Sequence, residues 1–516
     1  MRKKISIYIF IIIFSIIIGI ITRYQLTNKY SLNSDMLEHY YHMRQYYDNK
    51  IFPVTGAFLV GADYVANEYS KNSEVFNNKI PKIPGGFFYI EYMFYYFLSG
   101  ENLYIARILY GIVMSLLSVI FLLWIYKKFG FKIFAIMTSL IFVNITFFTV
   151  TNRFYNPQTV FMLSYISIPI ILEYSTNSKF NFLYAVLIFP IIALEAMGHM
   201  ATFFTIVPTL IVYFIIRWKT TKKYILPLLI GVFISFLLYL PYIISEINNG
   251  FQNLNNAISL KSQVKTIIQP PQIWSVLFFP TNEANFNYGN TISAIFRPWL
   301  NGDIKLLFSF IFYIISILIG IISFIILLKD FFQKKLNDNP IFKETALIYF
   351  LYIIVSVAVF MILNLGAARA RYFFHIYPLT FIPIIFLIKK IENKKIFNLF
   401  LIFILLNPLA VYIENKYIIY KNSDNSGWNF MMDHIEAINR DASNSTFDLY
   451  AGNNYPYILF KIDNTNFYID TNSKIRYNVV DSFDKNFNNS NMQVIYSNKQ
   501  YITYKEYKIN TEQQIK

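Results

Sequence analysis

Apolar runs of about eighteen residues or more recur along this chain, separated by short polar stretches, and they predict a bundle of membrane-crossing helices. Eleven such runs fall at roughly 5–22, 104–126, 131–149, 157–174, 181–197, 200–217, 224–245, 305–328, 343–364, 372–388 and 396–413. The first lacks a small-residue cleavage site and is read as a retained signal anchor. A twelfth apolar stretch, residues 84–99 (PGGFFYIEYMFYYFLS), is short, opens on Pro84-Gly85-Gly86 and carries Glu91. It is expected to lie along the outer membrane surface, with its Tyr and Phe side chains at headgroup level.

Charge sets the orientation. Arg2-Lys3-Lys4 precede the first span. Further basic groups fall at every second connection: Lys127-Lys128 with Lys132, Lys179, Arg217 with Lys219, Lys222 and Lys223, Lys329 with Lys334 and Lys335, and Lys389-Lys390 with Lys394 and Lys395. An excess of Lys and Arg marks the cytoplasmic side. A crossing at 84–99 would move every later basic loop outside, which is why that segment is kept on the surface. Three regions then face outward: residues 23–103, 246–304 and the tail 414–516. The tail turns rich in Asn, Asp, Ser and Lys. Its pattern predicts a helix at Trp428–Asn439 and strands at Thr446–Tyr450, Tyr455–Ile462 and Gln493–Tyr496. The expected architecture is an α-helical polytopic membrane module over 1–413, carrying outer-loop interfacial helices, followed by a small extracytoplasmic α/β domain over 414–516.

Composition agrees. The chain is 56% hydrophobic and 14% charged, against about a quarter charged in soluble proteins. A net charge of +16 in a soluble chain would suggest nucleic acid, but here the basic residues follow the topology and no such partner is implied. The absence of cysteine excludes disulfides and thiolate metal sites. No P-loop, dinucleotide fingerprint or internal repeat is visible.

Candidate chemistry begins just after the anchor. Asp35, Glu38, His39 and His42 share one helical face by their spacing, beside the membrane surface. Asp35 is also suited to start a helix, with Glu38 closing a capping box. A divalent-metal site from all four residues is one alternative; Asp35 as a general base is another. Charged groups near the outer membrane edge need a partner or a function. Lys82, Arg107, Arg153, Glu195, His199, Arg297, Arg369, Arg371 and His375 are singled out on that ground. Arg369 and Arg371, with His375 one turn further in, suit a phosphate at headgroup level. Glu195 and His199, four apart, are expected to pair on one helix face. Asn156-Pro157 is expected to start a helix, which leaves Arg153 as the ligand-contacting residue of that turn.

The run Lys82-Ile-Pro84-Gly85-Gly86-Phe-Phe-Tyr89, followed by Tyr104-Ile-Ala-Arg107-Ile-Leu, resembles the GC/GP-x-YY…R-L layout of the C-type (GT-C) membrane glycosyltransferases. The nearest group is the one holding protein O-mannosyltransferases and the lipid A aminoarabinose transferase. Further matches are Asn152-Arg153-Phe-Tyr-Asn156-Pro157, the turn ending in His199, Leu240-Pro241-Tyr242 with Asn248-Asn249-Gly250-Phe251, and Arg371-Tyr372 with Tyr377-Pro378. The resemblance spans residues 1–415. It implies transfer of a sugar from a polyprenyl-phosphate donor to an extracytoplasmic acceptor, with inversion. Asp35 would be the general base, with Glu38 second. Arg369, Arg371, Arg153, Lys82, His199 and His375 would bind the donor and its lipid phosphate. No cofactor is firmly implied, and a divalent metal remains the alternative. Two departures stand out: Asp35-Met36 where many members carry Asp-Glu, and Gly198-His199 where aminoarabinose transferases carry a lysine. A lipid-linked sugar flippase and a surface-polysaccharide polymerase or ligase are the competing functions.

Overall fold

A computed structural model describes residues 2–29, 34–59, 81–144, 155–176, 180–259, 304–363, 370–423, 427–442, 445–450, 473–481, 492–497 and 501–507. In chain order its main elements are α1 (Arg2–Lys29), α2 (Ser34–Asp48), β1 (Thr55–Phe58), β2 (Lys82–Pro84), α3 (Phe87–Leu98), α4 (Leu103–Phe129) and α5 (Phe131–Phe142). There follow α6 (Asn156–Tyr174), α7 (Asn181–Gly198), α8 (Ala201–Ile216), α9 (Ile225–Asn248), α10 (Gln252–Ser259), α11 (Ile304–Phe332) and α12 (Pro340–Leu363). A 3-10 helix (Ala370–Thr380) leads into α13 (Phe381–Lys390), α14 (Lys394–Ser423) and α15 (Gly427–Ala442), and β3 to β6 close the chain.

Crossing an apolar slab of about 30 Å takes about 20 helical residues. Among the described residues eight helices are long and apolar enough to do so: Ser6–Tyr24, Ile105–Phe129, Asn181–Gly198, Trp218–Asn248, Ile314–Phe332, Pro340–Ile362, Phe373–Lys390 and Lys394–Ile413. The shorter apolar helix α8 coincides with another expected span, and α5 covers the first part of the span expected at 131–149, whose residues 145–149 lie outside the described residues. The remaining one coincides with α6, which buries the polar residues Gln158, Thr159, Ser164, Ser167 and Glu173. Each of the eleven expected spans thus overlaps a helix, and among the described residues eight meet the length and apolarity of a crossing. The segment around His375 lies deepest: 83% of the Phe373–Lys390 span is buried, against 11% of Trp218–Asn248.

Helix α3 has 12 residues, about 18 Å of length, too short to cross and in keeping with an interfacial position. Phe88, Tyr89, Tyr92, Tyr95 and Tyr96 face inward, while Phe94, Phe97 and Leu98 are exposed. The turn entering it is pressed between the Pro53 backbone and the Met197 side chain. A Cβ on Gly86 would stand 1.8 Å from the Pro53 carbonyl oxygen. Gly85 has φ +90°, and a Cβ there would meet Met197 Cγ at 2.6 Å. Glycine is required at Gly86 for space, and at Gly85 for both space and backbone conformation.

The two long outer loops meet. The Lys82 backbone N–H donates to Asn253 Oδ1 at 2.7 Å, and Asn253 Nδ2 donates to Lys82 O at 3.0 Å and to Tyr242 Oη at 3.1 Å. This ties α10 to β2, which pairs antiparallel with β1 through Thr55↔Pro84 and Phe58↔Lys82. Basic residues from the expected inner loops are bonded to buried acids: Lys128 to Glu173 at 2.6 Å, Arg217 to Glu344 at 2.6 Å, and Lys390 to Asp330. Interhelical pairs of this kind satisfy charges that could not otherwise be held next to hydrocarbon.

Helix α14 runs without a break from Lys394 to Ser423. Beyond it, α15 covers the expected tail helix and packs on a sheet of order β3-β4-β6-β5. Here β3 is Asp448–Tyr450, β4 Ile475–Asp481, β5 Gln493–Ser497 and β6 Tyr501–Tyr507. The β3–β4 pair is parallel, while β4–β6 and β5–β6 are antiparallel. His434 Nδ1 and Thr503 Oγ1, 2.7 Å apart, join the helix to the sheet. The expected strands at 446–450 and 493–496 are present in β3 and β5; the strand at 455–462 lies outside the described residues. β4 and β6 were not anticipated.

Candidate active site

Helix α2 starts at Ser34 and carries Asp35 in its first turn, where a carboxylate is favoured by the helix dipole. The side chains of Asp35 and Glu38 lie outside the described residues. His39 and His42, on the same helix, are buried among aromatic rings. His39 meets Phe88 edge-on at 5.0 Å and lies 6.2 Å from Tyr155; His42 meets Phe58 at 5.0 Å. Burial, with Lys82 and His39 nearby, holds the His42 imidazole well below its ordinary pKa, so it is neutral at physiological pH. Lys82 Nζ stands over the other side of this cluster, 5.2 Å from the Phe58 ring centre. Arg107 is buried and lies close enough to Tyr40 of α2 to act on it electrostatically. Among the described residues no three His, Asp or Glu side chains are grouped to hold a metal. The four-residue metal set rests on Asp35 and Glu38, whose side chains are not among them.

Directly below, α3 sends Glu91 inward. Thr159 Oγ1, in the first turns of α6, donates to Glu91 Oε2 at 2.7 Å, and Tyr110 Oη lies 3.3 Å from the same threonine oxygen. Tyr92 and Tyr110 meet edge-on at 5.1 Å. Desolvation pushes the Glu91 carboxyl up to about 8 from 4.5, opposed in part by the Thr159 bond. The folded protein therefore keeps this proton through a range where the unfolded chain has released it, and stability falls as pH rises from about 5 to about 8. The melting temperature in detergent is expected to decline over that interval, and to decline less steeply in Glu91→Gln. A pH-independent wild-type melt would show that Glu91 is not held protonated.

The first turn of α6 leads to the next group. Its Pro157 occupies the start of the helix, as expected, but Asn156 does more than end a turn: its Nδ2 donates to Gly198 O at 3.0 Å. Helix α7 ends at Gly198, and His199 adopts extended backbone (φ −149°, ψ 118°) with Nδ1 accepting from Ala201 N at 3.2 Å. His199 therefore leaves the helical path that would have set it one turn above Glu195 on a shared face. Instead, Glu195 is buried at the end of α7 close to Ser167. His375, buried in the 3-10 helix, has Nε2 3.3 Å from Thr205 Oγ1 of α8 and its ring 4.9 Å from that of Tyr352 on α12. His199 and Glu195 lie within electrostatic reach of His375 and Tyr352 respectively.

Separate contacts thus link α2 to α3, α3 to α6, α6 to the end of α7, and α8 to the 3-10 helix. His39, His42 and Lys82 share one cluster, and His199 and His375 another. Arg153, Arg297 and Arg369 lie outside the described residues, as does the side chain of Arg371, whose backbone begins the 3-10 helix. Glu91 was legible only as a charge inside an apolar segment. Thr159, Thr205 and Tyr352 carried no signal, since one tyrosine among 42 does not announce its neighbours.

Among the described residues, eight helices long and apolar enough to cross a membrane define a multi-pass membrane protein. Its particular fold is that of the GT-C membrane glycosyltransferases. The chain superposes on ArnT from Cupriavidus metallidurans bound to undecaprenyl phosphate with a TM-score of 0.55 and 11% identity, over 96% of this chain and 97% of that one. ArnT from the same organism in the apo state gives a TM-score of 0.50 and 10% identity over the same shares. No family model and no curated protein sequence matches the chain.

Proposed function

We propose that this protein is a multi-pass membrane glycosyltransferase that moves a sugar from a polyprenyl-phosphate donor to a hydroxyl of an extracytoplasmic lipid, glycan or protein. The observation that carries the proposal is the match, over 96% of the chain, to a structure holding undecaprenyl phosphate. In this scheme Asp35, assisted by Glu38, takes the acceptor's proton. The acceptor oxygen bonds to the anomeric carbon as the carbon–oxygen bond to the lipid phosphate breaks from the opposite face, which inverts that carbon. Arg369, Arg371, Arg153 and Lys82 offset the charge on the departing phosphate, with His199 and His375 close by. The N-terminus is cytoplasmic and the tail domain extracytoplasmic. The tie between Lys82 and Asn253 supports this by placing the two expected outer loops on one side.

A lipid flippase would concentrate its ionisable groups near the bilayer midplane. Glu195 lies three residues before the end of α7 at Gly198, close to the outer rim, and favours surface chemistry. Protein purified in its native lipids is expected to retain polyprenyl phosphate, with or without sugar, detectable by mass spectrometry. Its absence under conditions that keep other lipids bound would overturn the proposal.

A further inference from the structure

Among the described residues, β2 pairs with a strand on one side only, β1. A two-stranded ribbon is marginal by itself, and the free edge of such a strand leaves N–H and C=O groups in need of partners. At Lys82 one side chain supplies both. Asn253 Oδ1 accepts from Lys82 N at 2.7 Å, and Asn253 Nδ2 donates to Lys82 O at 3.0 Å. A carboxamide carries the same donor and acceptor as a peptide group, so it completes the edge as a third strand would. Aspartate could not, since it has no N–H for the Lys82 carbonyl.

The amide is itself held in place. Its Nδ2 also donates to Tyr242 Oη at 3.1 Å, and Glu246, one turn further along α9, stands beside that hydroxyl. With the hydroxyl proton turned to the carboxylate, the phenol oxygen is left to accept from the amide. Glu246 is buried, and its Oε2 accepts from Leu254 N of α10 at 3.0 Å. The turn between α9 and α10 is left-handed at Gly250 (φ +61°) and again at Phe251 (φ +59°). That backbone is strained for phenylalanine, and the bond from Phe251 N to Glu246 O at 2.7 Å helps to hold it. The result is a short helix folded back so that its first turn reaches β2.

Resting on the glycosyltransferase function above, we propose that Asn253 is a positioning residue, which fixes the backbone of Lys82 so that its ammonium is aimed at the phosphate of the lipid donor. Lysine is a point charge on a flexible stem, and its aim depends on the backbone that carries it. Successive side chains of a strand point to opposite faces. Ile83 is buried, so Lys82 projects to the other face, where its Nζ stands 5.2 Å from the ring centre of its cross-strand partner Phe58. A slip of β2 along its free edge would carry the ammonium away from that position. The clamp on the Lys82 N–H and C=O opposes this slip, and it comes from the second outer loop, 171 positions away. Asn253, Tyr242 and Glu246 thus act on the phosphate only through Lys82.

The test measures binding of undecaprenyl phosphate to the full chain in lipid nanodiscs. The proteins compared are wild type, Asn253→Ala, Tyr242→Phe, Lys82→Gln and each of the first two variants combined with Lys82→Gln. Asn253→Ala is expected to weaken binding about five- to tenfold and Tyr242→Phe about two- to threefold, with Lys82→Gln at least as damaging as Asn253→Ala. On the Lys82→Gln background neither change should weaken binding further, because both act through the ammonium. A merely structural role would add its loss on either background. Additive losses, or wild-type affinity in Asn253→Ala, would overturn the positioning role and leave the transferase function standing. Wild-type affinity in Lys82→Gln would do the same. Tyr242→Phe removes a single oxygen and is expected to melt like wild type, so its pair of measurements decides the matter if Asn253→Ala does not fold. Failure of the wild-type protein to bind undecaprenyl phosphate would remove the transferase function, and the positioning role with it.

Discussion

Asp35→Asn is expected to lower sugar transfer by about two to four orders of magnitude, the usual worth of a positioned general base. Asparagine keeps the size of the side chain and its capacity to accept at a helix start, but it cannot take up the acceptor's proton. The helix should therefore form as before. Asp35 lies in the first turn of α2, and the described part of that helix is anchored independently by His39, Tyr40, His42 and Met43, all buried. Membrane yield and detergent melting should match wild type, and transfer from a polyprenyl-phosphate donor in isolated membranes should be lost. Glu38→Gln should cause a smaller loss. Full activity in Asp35→Asn would move the base elsewhere. The same assay decides the metal alternative: chelation should leave wild-type activity intact if Asp35 acts as a base alone, and loss restored by a divalent cation would favour the metal.

The second large effect is structural. Gly86→Ala should destabilise the protein by about 3 kcal/mol or more and collapse activity with it. The new methyl group would lie 1.8 Å from the Pro53 carbonyl oxygen, and that obstacle is backbone, with no flexible side chain to swing away. Relief requires moving either the chain before β1 or the start of α3. Moving α3 would shift Phe88 off His39 and draw Glu91 away from Thr159. Gly100→Ala is the natural control on the same helix's other end, since nothing stands within 4 Å of a Cβ there; its positive φ still adds a modest strain of its own. Detergent melting should separate the two variants clearly. A Gly86→Ala protein that melts like wild type would show that the turn can relax, and that α3 is not seated by this contact.

These expectations show how unevenly sequence and structure contributed to the site. His39, His42 and Lys82 were picked out as isolated charges beside the membrane, and the fold brings them to one aromatic cluster. His199 and His375 were picked out on separate outer turns, and the fold brings them within electrostatic reach of each other. Glu195 was expected to bind His199 through a four-residue spacing. That spacing counts only inside a helix, and the chain leaves the helix at Gly198. In the tail, β4 and β6 escaped notice because their alternation is masked by Asn, Lys and Glu on the sheet faces. Tyr477, Val479 and Thr503 are nonetheless buried in it.

What the sequence determined by itself was the succession of helices, the interfacial placement of 84–99 and the resemblance to a GT-C enzyme. Those follow from local quantities: the length of an apolar run, the position of a lysine, a proline beside a glycine. A run of about twenty apolar residues must be helical in a bilayer whatever surrounds it, so no distant contact is needed to predict it. Only the tertiary structure decided which polar residues share a neighbourhood. Thr159 meets Glu91 across 68 residues, and Thr205 meets His375 across 170. Such meetings depend on how helices are ordered and rotated around one another, and hydropathy, which is nearly the same on every face of a membrane helix, does not encode that rotation.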